Sequence, residues 1–590
     1  MDSDRPWLIS YERYNITPTI HLPPKDITLV DIFEESFSTF GKQTAYIFHD
    51  YHLSYSQLEQ YSRHFAAHLQ AIGLQQGDAI GVVLPNWLHY PIVAVAAVRA
   101  GLKLVSFNPH YTTRELEHQL GDCSVRALVI LDKFAPTFKR LSKPVLDQIP
   151  HLIVCRYQDV VKHASTILPY SLRPKSLTKR WVLSQIFGRA FIKQTSINQL
   201  ASTTQAANVA SAMQWWLFSE LLSPCTKPYQ RPQLSQHDVA IVQYTGGTTG
   251  VAKGALLTHG NLLANLLQID ALIVSAYDEE MQGDIILSAL PLYHVFSFTI
   301  SCLLVLFKGF TGLLIDNPSD IANLVGQIRR YPPSFILGVN PLFNGLLKNP
   351  AFRQLDFSGL KAVIGGGMAI SGSIAKRWHA VTGMPIIEGY GLSETSPVAA
   401  FNPLTIAEFN HKVGIPAPAT DIMLLDEDDR PVPIGERGEI VIKGPQVIQG
   451  YHNLPQETLA TFTAHGYLRS GDIGIMDERG FIKIVDRKKD MLVVSGFNVY
   501  PSEIETVMLE HPDILECAVI GVPSPTRGEE PKIFVVTHNP DLTEAMVIDF
   551  GKKNLTGYKR PRHVSFVASI PKSAMGKTLR RELRKQEGLE

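Results

Sequence analysis

Cysteine is scarce in this sequence: 590 residues contain five, Cys123, Cys155, Cys225, Cys302 and Cys517. An odd, scattered set makes a poor disulfide framework and has no metal-ligand spacing, so buried thiols in a reducing compartment are expected. Long apolar runs are missing too. The longest uncharged one, Phe296 to Phe307, is closed by Lys308. It falls short of the ~20 residues of a membrane-spanning helix, so a buried helix is expected there. The N-terminal Met-Asp-Ser-Asp-Arg-Pro leads into no basic-then-apolar stretch, and no secretory signal is expected. Net charge is absent, with 55 Lys and Arg against 55 Asp and Glu. That balance argues against nucleic acid as a partner, while leaving room for a local basic patch. There is no collagen period and no internal repeat of about 20–50 residues.

What is present is ordinary globular composition, 45% hydrophobic and 19% charged. At about 100–200 residues per domain, the length calls for two or more domains. Tyr55 to Ala71 reads as an amphipathic helix, with Leu58, Tyr61, Phe65, Ala66 and Leu69 on one side. Asp78 to Pro85 reads as a buried strand, Leu88 to Ala100 as a helix and Leu102 to Phe107 as a strand. That alternation predicts crossover units and a parallel sheet. Near Asp486 the pattern changes. The charged Asp486-Arg487-Lys488-Lys489-Asp490 separates two apolar strands. It is followed by a helix opened by Pro501, strands near Cys517–Val522 and Ile533–Thr537, a helix near Leu542–Asn554 and a strand at Val564–Val567. A boundary is expected there, giving residues 1–486 and a smaller α+β domain, 487–590.

Residues 160–219 hold seven Lys or Arg and no Asp or Glu. Within 171–194, Val182, Leu183, Ile186, Phe187, Ala190 and Phe191 form a helical apolar stripe flanked by Arg173, Lys175, Lys179, Arg180, Arg189 and Lys193. Such a segment can lie on an anionic membrane surface, or pack on the core with its basic side solvated.

Five motifs carry chemistry. Tyr244-Thr245-Gly246-Gly247-Thr248-Thr249-Gly250-Val251-Ala252-Lys253-Gly254 follows an apolar strand. Its four glycines, three threonine hydroxyls and one lysine suit a loop that turns N–H groups toward a polyphosphate. It is not a P-loop, because Gly254 rather than Ser or Thr follows Lys253. Gly389-Tyr390-Gly391-Leu392-Ser393-Glu394-Thr395 offers a lone carboxylate at a strand end, where α/β sheets bind ligands. One carboxylate suits a Mg²⁺ shared with phosphates; an exposed loop Glu is the plainer explanation. Gly365-Gly366-Gly367 allows a flat base to lie against backbone, though a strand-end turn explains it equally. Ser470-Gly471-Asp472 and Arg487 offer a carboxylate and a guanidinium for the hydroxyls of a ribose. Pro571-Lys572-Ser573-Ala574-Met575-Gly576-Lys577 places a lysine on a loop that can reach a distant phosphate; Arg580, Arg581, Arg584 and Lys585 behind it read as a basic tail.

In this order the five motifs resemble the acyl-adenylate-forming superfamily of acyl-CoA synthetases, peptide-synthetase adenylation domains and luciferases. Val494-Ser495-Gly496-Phe497-Asn498-Val499-Tyr500-Pro501 and Leu290-Pro291-Leu292-Tyr293-His294 are similar to bacterial long-chain fatty-acid–CoA ligases. The resemblance covers nearly the whole chain. It implies an α/β fold: a large N-terminal domain of stacked α/β subdomains plus a β-barrel, with a small mobile α+β C-terminal domain. It implies activation of a fatty acid with ATP to acyl-AMP and pyrophosphate, then transfer to coenzyme A, with Mg²⁺ as cofactor. Thr245 and Glu394 would hold the metal. Thr245, Gly246, Gly247, Thr248, Thr249, Gly250 and Lys253 would close over the phosphates. Gly366, Gly367, Gly389 and Tyr390 would hold adenine, Ser393 the α-phosphate, and Asp472 and Arg487 the ribose. Lys577 would be the adenylation lysine, Lys489 the hinge and Gly496 the coenzyme A tunnel. His294 would stand between the acyl and nucleotide sites, where a satisfied core histidine is the plainer explanation. Ser393 replaces the threonine of many relatives and keeps the hydroxyl. The acyl pocket is expected near Val339–Phe343 and the glycine triplet. A cytoplasmic protein is implied, with peripheral contact on the inner membrane face through 171–194, and self-association as a homodimer left open. Two alternatives remain: a fatty acyl-AMP ligase that loads a carrier protein, and a non-catalytic acyl-binding scaffold.

Overall fold

A computed structural model describes residues 5–134, 137–138, 140–160, 213–245, 252–278, 281–573 and 576–589. The expected basic segment 171–194 and the loop residues Gly246–Val251 lie outside the described residues.

The alternating N-terminal pattern folds as expected. Strands Ala79–Val83 and Lys103–Ser106 pair in parallel across helix His89–Arg99. They sit in a seven-stranded sheet whose spatial order is Gln214–Leu217, His151–Cys155, Ala127–Leu131, Ala79–Val83, Lys103–Ser106, Val239–Thr245 and Lys253–Thr258. Only the last pair is antiparallel. Helix Tyr55–Ala71 starts where Ser54 caps it: the Gln57 N–H donates to Ser54 Oγ (3.2 Å), and the Ser54 N–H to Gln57 Oε1 (2.9 Å). That reciprocal pair satisfies two donors the first turn would otherwise leave open. Helix His89–Arg99 is apolar all round and buried at every position, as such a composition requires. Its Arg99 ends inside the core and is tolerated because Glu34 (2.8 Å), the Ser62 hydroxyl (3.0 Å) and the Glu59 carbonyl (2.8 Å) receive its protons.

A second, nine-stranded sheet has a parallel centre of Thr44–Phe48, Thr311–Leu314, Ile285–Ser288, Phe335–Gly338, Ala362–Gly365 and Ile386–Gly391, with antiparallel edges. The apolar run at Phe296–Phe307 is buried over most of its length. It is helical from Val295 to Lys308, with a π-helical stretch at Thr299–Leu304. One hydrophobic core spans both sheets.

Where the resemblance implies a barrel, the described residues form an open four-stranded antiparallel sheet, Asp421–Leu425, Arg437–Lys443, Leu468–Met476 and Ile482–Arg487. No strand pairing among the described residues closes it. The short turn Lys488–Asp490 then leads to a five-stranded sheet with its own core. Its helices Pro501–Met508 and Glu544–Asn554 and strands Glu516–Ser524, Gly528–Val536 and His563–Phe566 fall close to the expected places. All five cysteines are unpaired; three are buried, while Cys225 and Cys517 are half-exposed. Among the described residues no helix is long and apolar enough to cross a membrane.

Candidate functional site

The motifs gather at strand ends. Val239–Thr245 runs into the glycine/threonine loop, whose far side returns as Lys253–Thr258. Thr245 and Lys253 are cross-strand partners, and the Thr245 hydroxyl donates to the Lys253 carbonyl at 3.4 Å. Upstream, the Tyr244 hydroxyl donates to Asp122 (2.5 Å). A Cβ on Gly254 would lie 2.8 Å from Val242 and 3.3 Å from His452, so glycine there permits a close approach of the segment Gly450–His452.

In the nine-stranded sheet, Ala362–Gly365 leads directly to Gly366 and Gly367, and Ile386–Gly391 carries Gly389 and Tyr390. Gly367 has φ +79°, which favours glycine. A Cβ on Gly366 would meet the Phe296 ring at 3.1 Å, and one on Gly389 the Phe401 ring at 2.6 Å. Glu388, unremarked in the sequence, is buried beside them; its carboxylate accepts the Ile370 N–H at 2.8 Å. Burial raises its pKa to about 7, against that hydrogen bond. Ser393 and Glu394 follow in the short turn Ser393–Thr395, both half-buried. The Tyr451 hydroxyl donates to Glu394 Oε1 at 2.8 Å. Lys253 sits over the Tyr451 ring, 5.5 Å from its centroid, and pairs with Glu457.

The four-stranded sheet brings Asp472 and Arg487 into register as cross-strand partners, 3.0 Å apart. The Tyr390 hydroxyl donates to the other Asp472 oxygen at 2.7 Å. Thus three residues that lie 82 and 15 positions apart in the sequence form one chain of contacts. Burial, then the Asp472 charge, pushes the Tyr390 phenol upward, so it remains a donor.

Lys577 reaches the same place from the five-stranded side. Its loop is tied by the Ser573 N–H to the Lys577 carbonyl (2.8 Å) and the Lys577 N–H to Ser573 Oγ (3.1 Å). Gly576, at φ +77°, lies against Pro341 and Met368, since a Cβ there would stand 3.3 and 3.6 Å from them. Burial, with Arg487 and Lys489 beside it, lowers the Lys577 pKa to about 8, while Asp472 and Asp490 oppose the shift.

Asn86 fixes the loop before His294. Its amide donates to the carbonyls of Ser288 (3.0 Å) and Leu290 (2.7 Å) and its oxygen accepts the Leu292 N–H (2.8 Å). His294 caps the next helix, its Nδ1 accepting the Phe296 N–H at 3.4 Å, and burial lowers its pKa to about 4. The ring is therefore neutral at physiological pH. Lys489 lies in the turn between the four- and five-stranded sheets. Gly496 stands apart, at a hairpin tip with φ +82° and open space on its Cβ side.

The structure thus joins Tyr390, Asp472, Arg487 and Lys577 in one cluster, and Thr245, Lys253 and Glu394 in another through Tyr451. Sequence reasoning missed Tyr451, Glu457, Asp122 and Glu388, which act on other side chains or on backbone and form no motif of their own. Tyr451 had one available signal, the strand-like Val447–Gly450 stretch ending in a tyrosine.

Glycine-lined strand ends facing a carboxylate, guanidinium and lysine define a nucleotide-binding α/β protein. The chain belongs to the AMP-binding enzyme family: that family matches residues 33–452, and the AMP-binding enzyme C-terminal domain matches 503–577. Among curated relatives, the long-chain-fatty-acid–CoA ligase of Escherichia coli O6:H1 is 43% identical over 572 residues, covering 96% of each chain. The one from Bacillus subtilis is 34% identical over 589 residues, covering 100% of this chain and 99% of its own. Among solved structures, ATP-bound MatB from Rhodopseudomonas palustris superposes with a TM-score of 0.75 at 25% identity, covering 96% of this chain and 100% of its own. The anthranilate CoA ligase AuaEII in complex with anthranoyl-AMP has a TM-score of 0.77 at 23% identity, covering 96% and 98%.

Proposed function

We propose that this protein is a long-chain fatty-acid–CoA ligase working through an acyl-adenylate. A fatty-acid carboxylate oxygen attacks the α-phosphorus of ATP and pyrophosphate leaves. The coenzyme A thiol then attacks the acyl carbonyl and AMP leaves with the electron pair of the broken bond. The observation that carries this reading is the 43% identity to the E. coli ligase across 96% of both chains.

The site's chemistry is compatible with each step. An anion attacking a polyanion is repelled, so positive charge and fixed geometry must offset that repulsion. In this reading Lys577 supplies a cation between carboxylate and α-phosphate, and Ser393 meets the same phosphate. Asp472 and Arg487 hold the ribose, with Gly366, Gly367, Gly389 and Tyr390 around adenine. Lys253 and the loop Thr245–Gly250 take the β- and γ-phosphates. His294, being neutral, can face the carboxylate without neutralising it. Glu394 and the Thr245 hydroxyl fit Mg²⁺: one carboxylate and one hydroxyl are a donor set that phosphate oxygens and water complete. Among the described residues no group of three or more His, Cys, Asp or Glu could hold a metal alone. When bound, Mg²⁺ would neutralise phosphate charge.

The domain reading belongs to the same proposal. Residues 487–590 form a mobile unit that turns about Lys489, withdrawing Lys577 and bringing Gly496 to line the pantetheine path. Residues 171–194 would bring the enzyme to anionic membranes where its substrate collects. Only their composition supports this, seven cations and no carboxylate across 160–219.

The test is pyrophosphate release from ATP and Mg²⁺ over a series of fatty-acid chain lengths, followed by AMP release with coenzyme A or a carrier protein as acceptor. The proposal expects release with long chains and acyl transfer to free coenzyme A. Transfer to carrier protein alone would make it an acyl-AMP ligase, and no fatty-acid-dependent pyrophosphate would leave a binding scaffold.

A further inference from the structure

We propose that Tyr451 is a positioning residue of the ATP site, which keeps the Glu394 carboxylate and the Lys253 ammonium apart and holds the carboxylate open to its cation. The proposal rests on Glu394 and Lys253 being ATP-site groups.

Three observations carry it. Tyr451 occupies both groups at once: its hydroxyl donates to Glu394 Oε1 (2.8 Å), while Lys253 lies over its ring, 5.5 Å from the centroid. An ionised carboxylate only accepts hydrogen bonds, so a phenol on one oxygen fixes the group and leaves the other oxygen for a cation. The ring face attracts a cation without neutralising it.

The second observation is the backbone around Tyr451. The Ile448 N–H donates to the carbonyl of Glu394 itself (3.0 Å). The Leu256 N–H donates to the Gly450 carbonyl (3.1 Å), and the His452 N–H to the Gly254 carbonyl (2.7 Å). The strap 448–452 therefore runs from the carboxylate's own turn to the strand that begins at Lys253, with Tyr451 in the middle. The Tyr451 N–H is in turn held by Thr458 Oγ1 (2.9 Å).

Third, Lys253 has another partner. Glu457 pairs with it from helix Pro455–Thr461. A carboxylate and an ammonium left free in one cleft would pair with each other, and neither would then serve a ligand. Tyr451 stands between them and Glu457 takes the lysine, which leaves Glu394 with no ion pair among the described residues.

The test uses the full-length enzyme and calorimetric binding of ATP, once with Mg²⁺ and once in EDTA. Tyr451→Phe keeps the ring and removes the donor. It should weaken ATP binding with Mg²⁺ on the order of 10-fold, as loss of a group that orients a metal ligand does. Binding in EDTA should change less than about twofold, because the ring remains under Lys253. In a Glu394→Gln background the same substitution should add nothing, since the anionic metal ligand that Tyr451 orients is gone. Tyr451→Leu removes the ring too and should weaken ATP binding in EDTA as well. Unchanged binding in Tyr451→Phe overturns the proposal. So do equal losses with and without Mg²⁺, the signature of a merely structural role, and losses that multiply in the double variant. Wild-type affinity for ATP and Mg²⁺ in Glu394→Gln would remove the underlying reading of Glu394, and the proposal with it, whatever Tyr451→Phe does.

Discussion

Lys577 is held where a lysine pays for desolvation. Burial takes its pKa down to about 8 despite Asp472 and Asp490 nearby, so the free enzyme loses the cation as pH rises through that value. If adenylation needs the ammonium, kcat/KM for pyrophosphate release should be flat below about pH 8 and fall above it, because kcat/KM reports the free enzyme. Bound phosphates stabilise the ammonium, so the fall in kcat should come at higher pH. Lys577→Arg retains a cation and should abolish the alkaline fall in whatever activity it keeps. An unchanged limb in that variant assigns the titration elsewhere. Glu394→Ala should lose most activity at ordinary Mg²⁺. Its carboxylate meets a tyrosine hydroxyl, and near wild-type turnover would remove it from the metal site. Both residues were legible in the sequence, Glu394 as a lone charge among small and hydroxyl side chains and Lys577 as a lysine that follows a glycine on a loop. Tyr451 and Glu388 were not, since an aromatic or a carboxylate next to an apolar strand is commonplace until its partner is known.

At the scale of elements, the functional side chains hang on strand ends, and the glycines decide how close those ends come. Gly391 is the tightest case: a Cβ there would lie 1.7 Å from the Pro397 carbonyl oxygen, in the antiparallel pairing of Ile386–Gly391 with Val398–Phe401. Backbone cannot give way as a side chain tip can, so Gly391→Ala should destabilise by about 3 kcal/mol, the upper range for overpacking. It should also displace Glu394, three residues on. Chemical denaturation compared with wild type checks the first effect; a midpoint within error of wild type would contradict it. The N-terminal strands and helices were readable because their apolar periodicities are uninterrupted. Helix Tyr55–Ala71 even begins at its expected residue, fixed by the Ser54 and Gln57 cap. The barrel was implied by likeness alone; no local pattern distinguishes a four-stranded open sheet from a closed one, because closure depends on which distant edges pair. The π-helical stretch at Thr299–Leu304 likewise leaves no periodic trace in an all-apolar run.

At the scale of the whole molecule, contacts cross the segment around Lys489. Arg437, in the four-stranded sheet, pairs with Glu503 (2.6 Å) and lies over the Tyr500 ring, 5.0 Å from its centroid. Asp486 accepts the Ser502 N–H at 2.8 Å. These contacts favour the orientation in which Lys577 lies near Asp472 and Arg487, and a turn about Lys489 would have to break them. A half-exposed ion pair contributes at most about 1 kcal/mol. Arg437→Gln should therefore slow adenylation a few-fold while leaving thioester formation from synthetic acyl-AMP equal or faster. Equal slowing of both steps would mean that Arg437 does not bias the orientation. The change of pattern near Asp486 was visible in the sequence because charge there interrupts two apolar strands. These cross-contacts were not, since Arg437 and Glu503 stand 66 residues apart.

We propose that Lys577, carried on a domain that turns about Lys489, serves the first half-reaction and not the second. The direct measurement is Lys577→Ala assayed in two single-turnover experiments, acyl-AMP formation from ATP and fatty acid, and thioester formation from synthetic acyl-AMP and coenzyme A. Adenylation should fall on the order of 10²–10³-fold, as when one preorganised electrostatic donor is lost, with thioester formation close to wild type. A parallel fall in both steps would contradict the account.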